Sequence, residues 1–377
     1  MKNIKFLLSL TFVIIALYGC QKPIDIKTTA TNYNILVVEG LINVADSTKI
    51  SLSRTVTIGN KTTANPEQGA TVTIETAQAT IATLKEIVKG TYATPVLNLD
   101  KTQKYRVRVK LSNGKVYLSD LVEVKVTQPI DSVGYTIKSD GVQVYANTHD
   151  DSNNSRYYLY NFTETYKFNT FARSFLIYDK GLRERTTAED IHTCFATTSS
   201  NNIVLYSTAN LTQDVAYQAP ITFHQSTSEK ISIRYTILLT QTAVTKEAYR
   251  FWENLKTSTE SLGSIFDAQP SQLVGNIHNI ANANEPVIGY ISAGTTQTKR
   301  IFIDRKELPS DFKVQYPFGC SLGIASPIFF EGILNPYVPL YHYVDPNVGA
   351  SNDAWYTDKK CGDCRFRGTL KQPTFWK

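Results

Sequence analysis

The chain has 377 residues, a formal net charge of +6 at neutral pH and 42% hydrophobic residues. This hydrophobic content is typical of a folded globular protein and excludes a mainly disordered chain. Lysines and arginines are scattered rather than clustered, so no nucleic-acid partner is expected. The length exceeds what one hydrophobic core usually serves, and we therefore expect two domains.

The N-terminus carries a leader pattern. Two lysines precede an apolar run, Phe6–Tyr18, which has the length of the hydrophobic segment of a secretory signal and is too short to span a bilayer. Gly19 and Cys20 follow this run, and the stretch resembles the lipobox of bacterial lipoproteins. The resemblance implies a signal peptide of residues 1–19 and acylation of Cys20, with palmitate among the acyl chains. The alternative is an ordinary secretory signal that contains a cysteine.

Four further cysteines bear on the fold, because an exported chain enters an oxidising compartment where thiols pair. They are Cys194, Cys320, Cys361 and Cys364. The last two form a C-x-x-C motif, but a thioredoxin-type site would need a βαβ context, and a zinc site would need a second ligand pair at motif spacing. The sequence favours structural disulfides, within the motif or to Cys194 or Cys320, over a metal site, and no cofactor is predicted. It does not choose among the three possible pairings.

Residues 20–32 are polar and predict a tether, and residues 33–127 predict a first domain that is all-β. Asn113-Gly114 predicts a tight hairpin within it. About seven short strands in this length indicate an immunoglobulin-like β-sandwich. The strand candidates, which alternate in polarity or are rich in β-branched residues, include Ile35–Gly40 (ending at the glycine), Lys49–Arg54, Thr71–Glu75, Tyr105–Leu111 and Val122–Val126.

Thr127–Pro129 is the expected domain boundary, since proline cannot donate to a sheet. Residues 128–377 predict a larger β-rich domain. Its long strand candidates are Tyr157–Phe168 and Glu229–Gln241, which are rich in Tyr, Ile and Thr. The polar stretch Lys180–Asp190 predicts a surface loop or a short helix.

One segment breaks the β pattern and predicts an amphipathic helix, Lys246–Leu262. Thr245 is a suitable N-cap, and Gly263 is a natural stop after the last turn. An apolar stripe at helical spacing is formed by Ala248, Phe251, Trp252 and Leu255. Beside several strands, such a stripe is more typical of packing on a sheet than of an exposed partner-binding helix.

The last stretch, Tyr316–Lys377, is rich in aromatic residues and proline. This composition predicts long loops fixed by aromatic packing rather than regular strands. The rings either cover the second core or form a binding surface for sugars or partner proteins. Tyr341, Trp355 and Tyr356 are the candidate binding residues.

Several longer segments resemble the domain-of-unknown-function family numbered 4249. They are LVVEG after the lipobox, EAYRFWENLK, SLGSIFDAQPSQLVGNIHN, VIGYIS and the ending CGDCRFRG with PTFW. The family consists of outer-membrane lipoproteins of Gram-negative bacteria, often encoded beside TonB-dependent receptors. The resemblance implies attachment to the outer membrane through the N-terminal lipid and a TonB-dependent receptor as partner. It does not determine whether the protein faces the periplasm or the cell surface. It assigns no catalytic residues.

Catalytic and metal motifs are weak. Gly319–Gly323 reads G-x-S-x-G, but prolines flank it, and the downstream His342 and Asp345 come in the wrong order for a nucleophile elbow. The oxygen-rich His149–Asn154 lacks the spacing of a calcium loop. We therefore expect a non-enzymatic envelope protein that binds a nutrient, such as a glycan or peptide, or docks on a receptor. The alternatives are an envelope hydrolase with an unrecognised site and a purely structural component.

Overall fold

The computed structural model describes residues 34–56, 65–260, 275–316, 318–332, 335–347 and 349–376. Cys20 and the predicted leader and tether lie outside the described residues, as do Leu262 and Gly263 at the predicted end of the helix. Strands make up most of the regular structure. The expectation of a mainly β protein is therefore confirmed.

The first eight strands follow one another closely along the chain. They are β1 (Leu36–Asn43), β2 (Ser47–Arg54), β3 (Thr71–Glu75), β4 (Thr80–Val88), β5 (Thr91–Val96), β6 (Lys104–Lys110), β7 (Val116–Ser119) and β8 (Val122–Lys125). Each strand predicted in this region overlaps one of them. The chain reverses at Asn113-Gly114 between β6 and β7, with Gly114 at a φ of 85°, so the predicted hairpin is confirmed.

The strand end predicted at Gly40 is wrong. β1 continues through this glycine and pairs with β2 from Leu36 to Leu41. A Cβ at Gly40 would lie 2.5 Å from the Lys49 carbonyl oxygen. The glycine therefore permits a close approach of the two strands instead of ending one.

The middle of the chain forms a second set of strands. They are β9 (Ser132–Lys138), β10 (Gly141–Asp150), β11 (Tyr157–Asn169), β12 (Leu176–Tyr178), β13 (Leu182–Glu184), β14 (Thr193–Ser199), β15 (Val204–Ser207), β16 (Asp214–Gln225) and β17 (Arg234–Ala243). The strand predicted over Tyr157–Phe168 is confirmed as β11. The second predicted strand begins only at Arg234, because Glu229–Ile231 forms a 3-10 turn capped by Ser228. Lys180–Asp190 contains β13 and a second short 3-10 turn.

The remaining strands are β18 (Ile277–Asn279), β19 (Val287–Ile288), β20 (Ser292–Gly294), β21 (Thr296–Asp304), β22 (Gly323–Ala325), β23 (Tyr337–Asp345) and β24 (Gly349–Asp358). Helix α1 (Lys246–Glu260) confirms the predicted helix, with Ala248 and Phe251 buried and Thr245 Oγ1 accepting a hydrogen bond from Ala248 N. Helix α2 (Lys359–Gly362) is a single turn that the sequence does not predict. Neither helix of the described residues is long and apolar enough to cross a bilayer.

The first sheet closes on itself. Its pairings run β6–β3–β4–β5–β2–β1–β20–β8, and β8 pairs back to β6, while β7, β18 and β19 extend the sheet. Ile277, Val287, Ile291 and Ala293 join the core formed by the first eight strands. The segment 277–294 therefore completes the N-terminal core from a distant part of the chain. The division at residue 127 stays a prediction.

Two antiparallel sheets enclose a second core. One contains β16, β10 and β9, and the other contains β14, β11, β17 and β21, with β15 paired to β11. The buried side chains between them include Val142, Val144, Tyr158, Tyr160, Ile221, Tyr235, Ile237 and Leu239. This burial supplies the main stabilisation of the middle region.

The C-terminal region corrects the prediction of aromatic loops. β22, β24 and β23 form an antiparallel sheet. Pro339 is tolerated because β23 is an edge strand and its register shifts between Pro339 and His342. Proline frequency alone therefore gives the wrong secondary structure here.

Candidate functional site

The three aromatic candidates lie on β23 and β24 but do not share one surface. Tyr341 is 44% exposed, and its ring centroid is 6.3 Å from that of Trp355. Tyr356 follows Trp355 directly in β24, so its side chain points to the opposite face. There it packs against Phe329 and Tyr337, with centroids 4.9 and 5.0 Å away. Only Tyr341 and Trp355 are brought together.

The four cysteines form two disulfides. Cys194 pairs with Cys364, and Cys320 pairs with Cys361, so each cysteine of the C-x-x-C motif bonds outside the motif. The bonds link the C-terminal segment to β14 and to the chain before β22. With all four thiols paired, none is available as a thiolate ligand. Within the described ranges, no group of three or more His, Cys, Asp or Glu side chains could hold a metal ion.

A cavity of about 690 Å³ lies between the closed sheet and the two antiparallel sheets that enclose the second core. We call it the inter-sheet cavity. One wall comes from β1 and the segment around β20, and includes Leu41 and Tyr290. The other comes from β11, the end of β17 and α1, and includes Leu159, Trp252 and Leu255. The volume is within the range of about 300–1,000 Å³ that is typical of small-molecule sites.

Two aromatic rings of the inter-sheet cavity are positioned by one core residue. Phe251 is buried in α1. The ring of Trp252 lies edge-on to the Phe251 ring, with centroids 5.4 Å apart, and the centroid of the Tyr290 ring lies 5.6 Å from that of Phe251. Both rings are only partly buried and line the cavity. Phe251 therefore fixes two aromatic surfaces that a ligand can contact.

A short loop at residues 200–203 completes the rim of the cavity. Ser200 N donates to the Phe162 carbonyl at 2.8 Å, and Ser200 Oγ accepts from Phe162 N at 3.1 Å. At the other end, Ile203 N donates to the Glu260 carboxylate at 2.9 Å. Both ends of the loop are therefore fixed to the strand and the helix that form the wall.

The polar groups of the inter-sheet cavity are mostly neutral, and three of its amide side chains bond no described residue. Asn201 and Asn202, between the two fixed loop ends, are exposed, and so is Asn161 on β11. No hydrogen bond joins these three amide groups to any part of the chain that the structure describes. Glu39 and Glu260 are the charged residues of the lining, which includes no described lysine, arginine or histidine.

A second concavity, lined by residues that include Tyr166, His224 and Lys230, has a contrasting chemistry. We call it the Glu164 groove, after the buried carboxylate behind it. Behind its wall, the buried Glu164 carboxylate accepts hydrogen bonds from Lys230 Nζ and, at 2.7 Å, from the Tyr235 hydroxyl. His224 Nε2 lies 2.9 Å from Glu164 Oε1. Burial alone would raise the pKa of Glu164, but the contacts with His224, Lys230 and Tyr235 outweigh it and lower the pKa to about 2.

This groove holds a paired network rather than an acid–base catalyst. A general acid or base works best with a pKa near the working pH. A carboxyl group whose pKa is about 2 stays ionised at neutral pH and is a weak base. At Glu164 the carboxylate oxygens are also occupied by protein donors.

The G-x-S-x-G segment does not form a nucleophile elbow. β22 follows Ser321, where that geometry requires a helix. The Ser321 carbonyl accepts a hydrogen bond from Thr357 Oγ1 at 2.8 Å. In the oxygen-rich turn after β10, the Asp150 carboxylate accepts backbone N–H groups of Ser152, Asn154 and Ser155, so the turn is satisfied by its own backbone.

Sequence reasoning identified part of the inter-sheet cavity. The helical stripe included Trp252 and Leu255, but as core residues. Tyr290 lies in the VIGYIS segment, and Asn201 and Asn202 lie in a polar loop, which is a common composition of surface loops. No spacing in the sequence relates these segments to the helix.

The described residues define a mainly β protein with two large hydrophobic cores and a ligand-sized space between the sheets that enclose them. The profile of the family "Domain of unknown function (DUF4249)" matches residues 21–300, and the protein belongs to this family. The match ends before the C-terminal sheet and before the CGDCRFRG segment that follows it. No curated protein matches the chain.

Two solved structures show weak likeness to the chain. For the adhesin InvE of Yersinia pseudotuberculosis, the alignment has 12% identity, covers 55% of this chain and 57% of the adhesin, and has a TM-score of 0.14. For a cycloalternan-degrading enzyme from Trueperella pyogenes, the alignment has 8% identity, covers 70% of this chain and 31% of the enzyme, and has a TM-score of 0.15. TM-scores this low carry no argument about fold or function.

Proposed function

We propose that the protein is a lipid-anchored binding protein of the cell envelope that holds its ligand in the inter-sheet cavity. The observation that carries the proposal is the set of fixed aromatic rings around this cavity, together with amide groups that bond no described residue. Groups that a protein does not use internally are available to a ligand, and concave sites with a few such groups are typical binding sites. A glycan or a peptide has the matching chemistry.

The envelope location is supported by the leader and by the family. The lipobox-like end at Cys20 would place acyl chains on the first mature residue, and several buried acyl chains give stable membrane attachment. The proposed location is the outer membrane, and the proposed partner is a TonB-dependent receptor for which the protein is an accessory in nutrient uptake. The immunoglobulin-like sandwich for residues 33–127 also stays a proposal, supported by the antiparallel pairings from β2 to β7.

The partnership is tested by purifying the full-length protein from solubilised outer membranes and identifying co-eluting proteins by mass spectrometry. We expect a TonB-dependent receptor in the eluate and a diacylated or triacylated Cys20 in the purified protein. Repeated recovery of the protein alone would contradict a stable receptor complex, and an unmodified Cys20 thiol would contradict the lipid anchor.

A further inference from the structure

We infer that the inter-sheet cavity takes a neutral, hydroxyl-rich ligand, a short oligosaccharide. The inference rests on the proposed function and specifies its ligand class. Three properties of the lining carry it: its charge, its hydrogen-bonding groups and its aromatic surfaces.

The charge of the lining disfavours anions. Glu39 and Glu260 contribute two carboxylates, and the described lining has no basic side chain to offset them. An anionic ligand would lose its hydration and meet charges of its own sign in a concave site, where repulsion is stronger than in bulk water. Phosphorylated, sulfated or carboxylated ligands are therefore disfavoured.

The hydrogen-bonding groups favour hydroxyls. Asn161, Asn201 and Asn202 each present a carbonyl acceptor and an NH₂ donor, and a sugar hydroxyl both donates and accepts. Because the loop ends at Ser200 and Ile203 are fixed, the backbone that carries the two neighbouring asparagines is anchored before a ligand arrives. Fixed polar groups lower the entropy cost of binding.

The aromatic surfaces match the apolar C–H faces of sugar rings. Trp252 and Tyr290 both pack against Phe251, which is buried, and both remain partly exposed to the cavity. Burial raises the pKa of Tyr290, so its hydroxyl stays protonated and neutral at physiological pH. A cationic peptide would pair with the two carboxylates, and its backbone would also bond the amides, so the test below includes a cationic peptide as the competing ligand class.

The test measures binding to the full-length protein in detergent by isothermal titration calorimetry. The probes are neutral tetrasaccharides (cellotetraose, maltotetraose, xylotetraose and mannotetraose), anionic tetragalacturonic acid, fully deacetylated chitotetraose as a cationic sugar, and a tetralysine peptide. The variants are Trp252→Ala, the Asn201→Ala/Asn202→Ala pair, and Trp355→Ala as the control, because Trp355 lies on the C-terminal sheet.

We expect a neutral tetrasaccharide to bind with an affinity that changes little between low and high salt. Trp252→Ala and the asparagine pair should each weaken it about tenfold or more, as expected for central contacts, and Trp355→Ala should leave it unchanged. Trp252→Phe should restore part of the affinity because it keeps an aromatic face. Near-ultraviolet circular dichroism confirms that each variant is folded.

Two results would overturn the inference, and they differ in what they leave standing. Trp252-dependent binding of a charged probe, weakened by salt, would refute the ligand class but keep the inter-sheet cavity as a binding site. Absence of binding to any probe, or binding that none of the cavity variants weakens, would refute both the ligand class and the proposed function.

Discussion

The inter-sheet cavity and the Glu164 groove are both concave, but their polar groups are used differently. In the groove, Glu164 is enclosed by His224, Lys230 and Tyr235, so its charge is balanced inside the protein. In the cavity, the amides of Asn201 and Asn202 have no partner among the described residues. The strongly lowered pKa of Glu164 therefore belongs to a structural network, whereas neutral amides that bond no described residue mark the proposed binding site.

The largest expected loss of stability comes from removing the Cys194–Cys364 disulfide, whose buried cluster packs against Tyr166 in the lining of the groove. Cys194 and Cys364 pack with Phe168, and their bond closes a separation of 170 residues, against 41 for Cys320–Cys361. Replacing both Cys194 and Cys364 by Ala should lower the free energy of unfolding by about 4 kcal/mol, since a longer closed loop restricts the unfolded chain more. Denaturant titration measures the loss.

The matched control is the double alanine variant of Cys320 and Cys361. Its loss should be roughly 1 kcal/mol smaller because its loop is shorter. An equal or larger loss for this pair would contradict the loop-length account.

Breaking the buried network at Glu164 should have the next largest effect. Glu164→Ala leaves Lys230 without its buried carboxylate and should destabilise the protein by about 3 kcal/mol. Glu123→Ala removes an exposed carboxylate from Lys125 and should cost less than about 1 kcal/mol. Thermal or denaturant unfolding compares the two variants, and similar losses would mean that the groove network contributes no more than a surface pair.

The same carboxylate predicts an acid dependence. The folded-state pKa of Glu164 is lowered from 4.5 to about 2, so its stabilising contribution is present above pH 4.5 and is lost as the pH falls towards 2. Because other groups, such as Glu75 with its two arginine partners, titrate in the same direction, the informative quantity is a difference. The difference in free energy of unfolding between wild type and Glu164→Gln should narrow as the pH falls from 5 to 2. A constant difference would refute a lowered pKa at Glu164.

The smallest expected change in stability comes from substitutions in the inter-sheet cavity. Replacing Asn201 and Asn202 by Ala should change the free energy of unfolding by no more than about 0.5 kcal/mol, since both side chains are exposed and bond no described residue. Chemical denaturation measures this. A loss of several kcal/mol would show that these amides are structural, as the groove residues are, and would remove the contrast between the two sites.

Sequence patterns predicted those elements whose neighbours are close along the chain. The alternation in β2, β3 and β6 and the Asn113-Gly114 turn depend on adjacent residues, and they are confirmed. β18, β19 and β20 have only two or three residues each, which is too short for a periodic signal. They complete the first core through pairing with strands far away in the sequence, including parallel pairs with β1.

The candidate site was less predictable because spacing does not determine what a side chain faces. Ala248, Phe251, Trp252 and Leu255 share one helical stripe, yet only the first two are buried and the others line the cavity. Tyr341, Trp355 and Tyr356 share a composition, yet strand geometry separates Tyr356 from the others. In both cases the deciding information is the packing of elements that the sequence leaves unrelated.

The most direct test of the central claim is a crystal structure of the protein bound to the tetrasaccharide that binds it best. We expect the sugar to lie between Trp252 and Tyr290, with hydroxyls within hydrogen-bond distance of the Asn201 and Asn202 amides. A sugar bound instead on the Tyr341–Trp355 face or in the Glu164 groove, with the inter-sheet cavity empty, would contradict it.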